Sequence, residues 1–161
     1  MVKPMRKLTP SEMRVFYGLC TSYFKEMLQN KNDTKSLTIK DEVSSDNLTK
    51  ATIEMVENGL RIAYADIENE KINGFIIARP IVEIKTCLIS HFYVDKTLKD
   101  DEQQRVTLNL YKEFAETAKK KGITNIVTRV MYLDEKYQSL LSDIDFEKLD
   151  KEDDITYGKR I

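Results

Sequence analysis

The sequence predicts an α+β domain of three layers, with helices on both faces of a mixed, mostly antiparallel sheet. Three observations predict it. Residues 88–94 (LISHFYV) are rich in β-formers, whereas Val106, Leu110, Phe114 and Ala118 recur every four residues, so the apolar period changes from strand to helix across one charged loop. A second strand-like run, Asn125–Val130, follows Gly122, which makes a β-α-β unit whose two strands are expected to be parallel with a right-handed crossover. Two helical stretches lie before a hairpin pattern in the first half, and the resulting order is β-α-α-β-β-β-α-β-α-β-β.

In chain order, Met5–Leu8 reads as a short first strand. Thr9-Pro10-Ser11-Glu12 then carries a helix start: Thr9 as N-cap, proline at the first helical position, and Glu12 placed to close a capping box. Met13, Phe16, Tyr17, Cys20, Tyr23, Phe24, Met27 and Leu28 mark one apolar face at helical spacing, which is core-forming. Gln29–Asp41 is polar and turn-rich, and Ser44–Asn58 reads as a second helix closed by Gly59. Leu60–Ile67 and Ile72–Val82 form a hairpin about the turn Glu68–Lys71, with Pro80 marking a strand end or a bulge. The central strand Leu88–Val94, the helix Val106–Lys121, the strand Asn125–Val130, a short helix Asp134–Ile144 and two closing strands complete the order.

Composition bounds the function. A chain of 161 residues with 41% apolar and 33% charged residues reads as one soluble globular domain, here spanning 1–161. Lys+Arg 26 against Asp+Glu 27 gives a net charge of −1, which supplies no global attraction to nucleic acid or an anionic membrane. The start MVKPMRKL has no apolar run behind it, no stretch of apolar residues is long enough to span a bilayer, and a cytoplasmic location is expected. Cys20 and Cys87 form no C-x-x-C pair, and His91 is the sole histidine, so two-histidine zinc motifs are excluded and no metal is expected.

The central stretch Ile89–Gly122, followed by Asn125–Val130, the short helix, D-F-E-K-L and T-Y-G-K-R-I, resembles a GNAT (Gcn5-related) N-acetyltransferase. The resemblance covers about the last ninety residues and, less specifically, the whole chain. It implies a central parallel strand pair that splays apart to admit acetyl-CoA as cosubstrate, with a primary amine of a small molecule or protein as acceptor. Phe92, Tyr93 and Val94 then flank the pantetheine arm, and Asp134 falls where the family has an asparagine near the cofactor. Counting back from Gly122, the family's pyrophosphate loop R/Q-x-x-G-x-G/A falls on Glu102-Gln103-Gln104-Arg105-Val106-Thr107, which has neither glycine. Gln103, Arg105 and Thr107 remain as donors to phosphate, while Asp100, Asp101 and Glu102 oppose it.

The chemistry of amine acetylation needs a base for the ammonium, a donor for the oxyanion and an acid for the departing thiolate. The family's tyrosine acid, in a pattern resembling Y-x-x-x-G-F, falls on Leu141; Tyr137 lies one turn earlier on the same helix face and is the candidate acid. His91 is a candidate base by its intrinsic pKa, and Glu83 and Asp66 are carboxylate alternatives on or beside strands. Tyr17 and Tyr23 are placed by the resemblance beside the acceptor site. Two readings stand at this level: an acetyl-CoA-dependent N-acetyltransferase, and a GNAT-fold binding or structural module that has lost the cofactor and works through a partner such as a second copy of itself.

Overall fold

A computed structural model describes residues 1–31, 39–129, 135–148 and 156–161. The elements are β1 (Val2–Pro4), a 3-10 turn (Met5–Lys7), α1 (Pro10–Lys31), α2 (Ile39–Glu57), β2 (Ile62–Glu68) and β3 (Lys71–Ile81). A second 3-10 turn (Val82–Ile84) leads into β4 (Thr86–Val94), α3 (Asp100–Lys120), β5 (Asn125–Arg129), α4 (Glu135–Asp143), β6 (Glu147–Lys148) and β7 (Thr156–Arg160). The expected order of strands and helices is the observed one. Among the described residues seven strands form one sheet in the order β1-β2-β3-β4-β5-β7-β6, antiparallel except for the parallel pair β4–β5.

The boundaries differ in instructive places. Residues 5–7 are not strand: β1 ends at Pro4, and the 3-10 turn drives Met5 into the core, where it is 1% exposed. Helix α1 runs on to Lys31 and α2 begins at Ile39, so the polar stretch between them is shorter than its composition suggests. Helix α3 starts at Asp100, six residues before the first strong apolar position Val106, because Asp100, Asp101 and Glu102 complement the positive end of its dipole. Pro80 sits within β3, but the ladder to β2 has already ended at Ile62↔Ala78, so its missing N–H removes no bond on that side.

The capping box is present in both directions: Glu12 N–H donates to Thr9 Oγ1 at 3.1 Å and Thr9 N–H donates to Glu12 Oε1 at 3.0 Å. Lys3 Nζ adds an ion pair to Glu12 at 2.9 Å, which ties β1 to the start of α1. The two faces of the sheet carry separate cores. Helices α1 and α2 cover one face, where Phe16, Cys20, Phe24 and Val56 pack on Ala63, Ala65, Phe75 and Ile77. Helix α3 covers the other, where Val106, Leu110, Phe114 and Ala118 pack on Ile76, Ala78, Ile89 and Phe92. The four-residue recurrence read from the sequence is therefore the buried face of α3.

Gly18 lies within α1 with open space where a Cβ would stand. Gly18→Ala is expected to stabilise the protein by about 0.5–1 kcal/mol, read as a rise in the urea midpoint at unchanged slope, because alanine loses less backbone freedom on folding into a helix.

Candidate functional site

Strand β4 positions the candidate site. Its pairing with β3 slips between Ile77↔His91 and Ala78↔Ile89, leaving Ser90 as an extra residue, a β-bulge. Ser90 Oγ donates to the carbonyl of Ile77 at 3.1 Å and holds the bulge closed. The bulge inverts the alternation of the strand: Cys87 and Ile89 face α3 before it, Phe92 and Val94 face α3 after it, and His91 and Tyr93 face α1. Among the described residues, the parallel ladder to β5 has its last pair at Ile89↔Thr128, immediately before the bulge. A bulge bends its strand and increases the local twist, and this one follows directly after that last described pair.

His91 sits in an aromatic box. The rings of Phe24 and Tyr23 meet it edge-on at centroid distances of 5.0 and 5.6 Å, and its Nδ1 lies 3.0 Å from Ser90 Oγ. Burial, reinforced by the charge of Arg61, pushes its pKa down to about 4. An imidazole so depressed is a weak base. A proton moved from an ordinary ammonium, pKa about 10.4, to such an imidazole climbs about 6 units, roughly 9 kcal/mol. His91 is thus a neutral wall of the site. Tyr93 stacks on Phe75 at 5.3 Å, with an angle of 24° between the rings, and Tyr23 meets both edge-on. Tyr17 is placed elsewhere on α1, donating to Asp46 of α2, which is in turn paired with Lys50.

The connection from β4 to α3 is built differently from a glycine loop. Asp95 accepts from both the N–H and the hydroxyl of Thr97, at 2.9 and 2.8 Å, and pairs with Lys71 at 3.2 Å. Although burial opposes it, these partners hold the Asp95 carboxyl below its usual range. Gln103 is almost fully buried and donates to the carbonyls of Lys96 and Leu98 at 3.2 and 2.7 Å, so its amide pins the loop from inside. Thr107 is buried too and donates back to the carbonyl of Gln103 at 2.8 Å. Both side chains are turned to the loop and the helix, where their donors are already engaged. Arg105 is exposed on the first turns of α3, and Lys99, its exposed N-cap, is a cation that the sequence pattern did not single out.

The other candidates do not converge on this point. Glu83 is exposed in the 3-10 turn before β4, at the end of the strand opposite Val94. Asp66 is buried on β2 and accepts from Asn73 Nδ2 at 3.3 Å. Tyr137 lies in α4, but its side chain and Asp134 fall outside the described residues. Leu141, which takes the family tyrosine's register, is buried in the core under α3. Among the described residues no cluster of histidine, cysteine and carboxylate groups could hold a metal ion, and no helix is long and apolar enough to cross a membrane.

No family model and no curated protein matches the chain. Solved structures do. An acetyltransferase of the GNAT family from Staphylococcus aureus superposes with a TM-score of 0.67 at 16% identity, over 99% of this chain and 98% of that one. The PaiA N-acetyltransferase of Thermoplasma acidophilum, solved in complex with coenzyme A, gives 0.67 at 15% identity over 100% and 99%. The aminoglycoside 6'-N-acetyltransferase of Enterococcus faecium gives 0.60 at 15% identity over 99% and 96%. The fold is that of the GNAT acetyltransferases, spanning essentially the whole chain.

Proposed function

Starting from the GNAT fold, we propose that this protein is an acetyl-CoA-dependent N-acetyltransferase, a single domain acting on a primary amine of a small molecule or protein. The observation that carries the reading is the bulge at Ser90, set directly after the last described β4–β5 pair, in the strand that leads into α3. The strand beyond it offers Tyr93 and Val94 to flank the pantetheine arm, with Phe92 on the α3 side. The positive end of α3, Lys99 and Arg105 face the phosphates. Bound there, acetyl-CoA supplies a thioester carbonyl for direct attack by the amine. The chain's own task is to orient the amine, exclude water and provide donors. Tyr137 keeps the role of thiolate acid and Asp134 that of a cofactor neighbour, as the family resemblance assigns them.

The environment of His91 shapes the mechanism. Since that imidazole is held neutral and weakly basic, the acceptor amine must give up its proton to water or to another group before attack.

Calorimetric titration with acetyl-CoA and with CoA is the test. Micromolar binding is expected, weakened about tenfold in Arg105→Glu by loss of one charge-assisted phosphate contact. A second reading has its own observation: Gln103 fills the inside of the loop and Asp100, Asp101 and Glu102 crowd the helix start, as expected of a GNAT-fold module without cofactor. An absence of binding at millimolar ligand overturns the enzyme and leaves that module.

A further inference from the structure

The sheet face that carries α1 and α2 holds a continuous cross-strand row. Arg79 of β3 pairs with Leu88 of β4, Leu88 with Val127 of β5, Val127 with Gly158 of β7, and Gly158 with Glu147 of β6. One step beyond the last β2–β3 pair, Ile62↔Ala78, Arg61 stands opposite Arg79. Ile62 and Ala78 belong to the core under α3, so their neighbours Arg61 and Arg79 project to the opposite face, the one that carries His91. The row thus begins with two guanidiniums, crosses a floor of half-exposed Leu88, half-buried Val127 and buried Gly158, and ends at the exposed Glu147. Its far part opens into a groove of ≈ 720 Å³ along β5 and β7.

Like charges directly opposite on neighbouring strands destabilise a sheet. Here nothing compensates them: among the described residues neither arginine has a carboxylate partner, and Arg61 gives an N–H only to the carbonyl of Leu60, at 3.0 Å. Arg61 is partly buried as well, and burial together with the Arg79 charge holds its guanidinium below its usual value. A cationic pair of this kind at the head of a shallow apolar floor is matched by an anion. The position fits a substrate: Leu88 and Val127 stand one residue before the Ile89↔Thr128 pair where the described ladder stops, and Arg79 is two strand spacings, about 10 Å, from Val127.

We propose that Arg61 and Arg79 bind an anionic group, carboxylate or phosphate, carried by the acceptor amine, so that the acceptor class is an amino acid-like or phosphorylated amine rather than a polycation. The inference rests on the acetyltransferase reading for the amine, but the anion site can be read without it.

Calorimetry in the absence of acetyl-CoA uses three probes: glycylglutamate, its diamide, which keeps the ammonium but has no anionic group, and phosphoethanolamine. The wild type is expected to bind glycylglutamate or phosphoethanolamine about tenfold more tightly than the diamide, as charge-assisted bidentate contacts require. In Arg79→Gln this preference falls to within about twofold, while the melting temperature holds or rises because a like-charge repulsion has been removed. Whichever anion binds more tightly identifies carboxylate or phosphate as the group recognised. Equal affinity for the probes with and without an anionic group, or a preference that survives in Arg79→Gln, overturns the proposal. Acetyl-CoA titration of the same preparations separates the two conclusions. Loss of acetyl-CoA binding alone removes the acetyltransferase and leaves the anion site. Loss of the anion preference alone leaves the transferase with a different acceptor.

Discussion

Gly74→Ala should destabilise the protein by about 3 kcal/mol, the upper part of the usual range for overpacking a core, and lower its melting temperature by about 10 °C. A Cβ on Gly74 would stand 2.6 Å from the carbonyl oxygen of Tyr93, 3.0 Å from Val106 Cγ1 and 3.1 Å from Leu110 Cδ1. The side-chain methyls can yield, but the Tyr93 carbonyl belongs to the β3–β4 ladder, where Gly74 pairs with Val94 and Phe75 with Tyr93. Relief therefore requires β3 and β4 to part or α3 to lift. Either movement disturbs the end of β4, so the acetyl-CoA binding proposed for it should weaken together with stability. Urea denaturation of the variant beside Gly18→Ala checks this, since the two identical chemical changes are expected to have opposite signs. A Gly74→Ala midpoint equal to wild type would show that α3 does not pack on β3 as described.

The second large effect is a dependence of stability on pH set by His91. Its pKa of about 4 in the folded state lies below the 6.5 of an unperturbed histidine. The unfolded chain therefore binds a proton that the folded chain refuses as pH falls from 6.5 towards 4. The sign follows: stability is complete above pH 6.5 and is lost as pH drops through that window, by about 3 kcal/mol once both states are protonated. Carboxylates with depressed values, Glu12 and Asp95 among them, lose their contribution too, but at lower pH than the start of this window. His91→Phe isolates the histidine. Phenylalanine fits between Phe24 and Tyr23 and carries no proton, so the loss between pH 6.5 and 5 should flatten in urea midpoints measured across that range. An unchanged pH profile in the variant would mean that His91 is solvated in the folded protein.

Much of the frame was legible before any coordinates. The period change from Leu88–Val94 to Val106–Ala118 located the β-α-β unit, and Thr9 with Glu12 announced the start of α1, because both signals depend on residues near in sequence. The juxtaposition of Arg61 and Arg79 could not be counted from the turn Glu68–Lys71, because the β2–β3 register shifts by one residue between Asp66 and Ile67, leaving Asn73 as an extra residue. Nor could their common face with His91, since the parity of β4 depends on the bulge at Ser90, and no residue of I-S-H-F announces a bulge.

The amino-acid sequence by itself determined the order of strands and helices, the buried stripe of α3 and the absence of a glycine loop before that helix. Those properties are local: period, capping and backbone freedom act within a few residues. The tertiary structure alone decided the surroundings of the candidate site residues. The same His91 that has a base's intrinsic pKa is held weakly basic because Phe24 and Tyr23, remote in sequence, bury much of it beside the charge of Arg61. Gln103, a phosphate donor by position, spends its amide on Lys96 and Leu98 because α3 begins at Asp100 and turns it inward. Desolvation and hydrogen-bond partnership are properties of packing, and they assign chemistry only after the chain has folded.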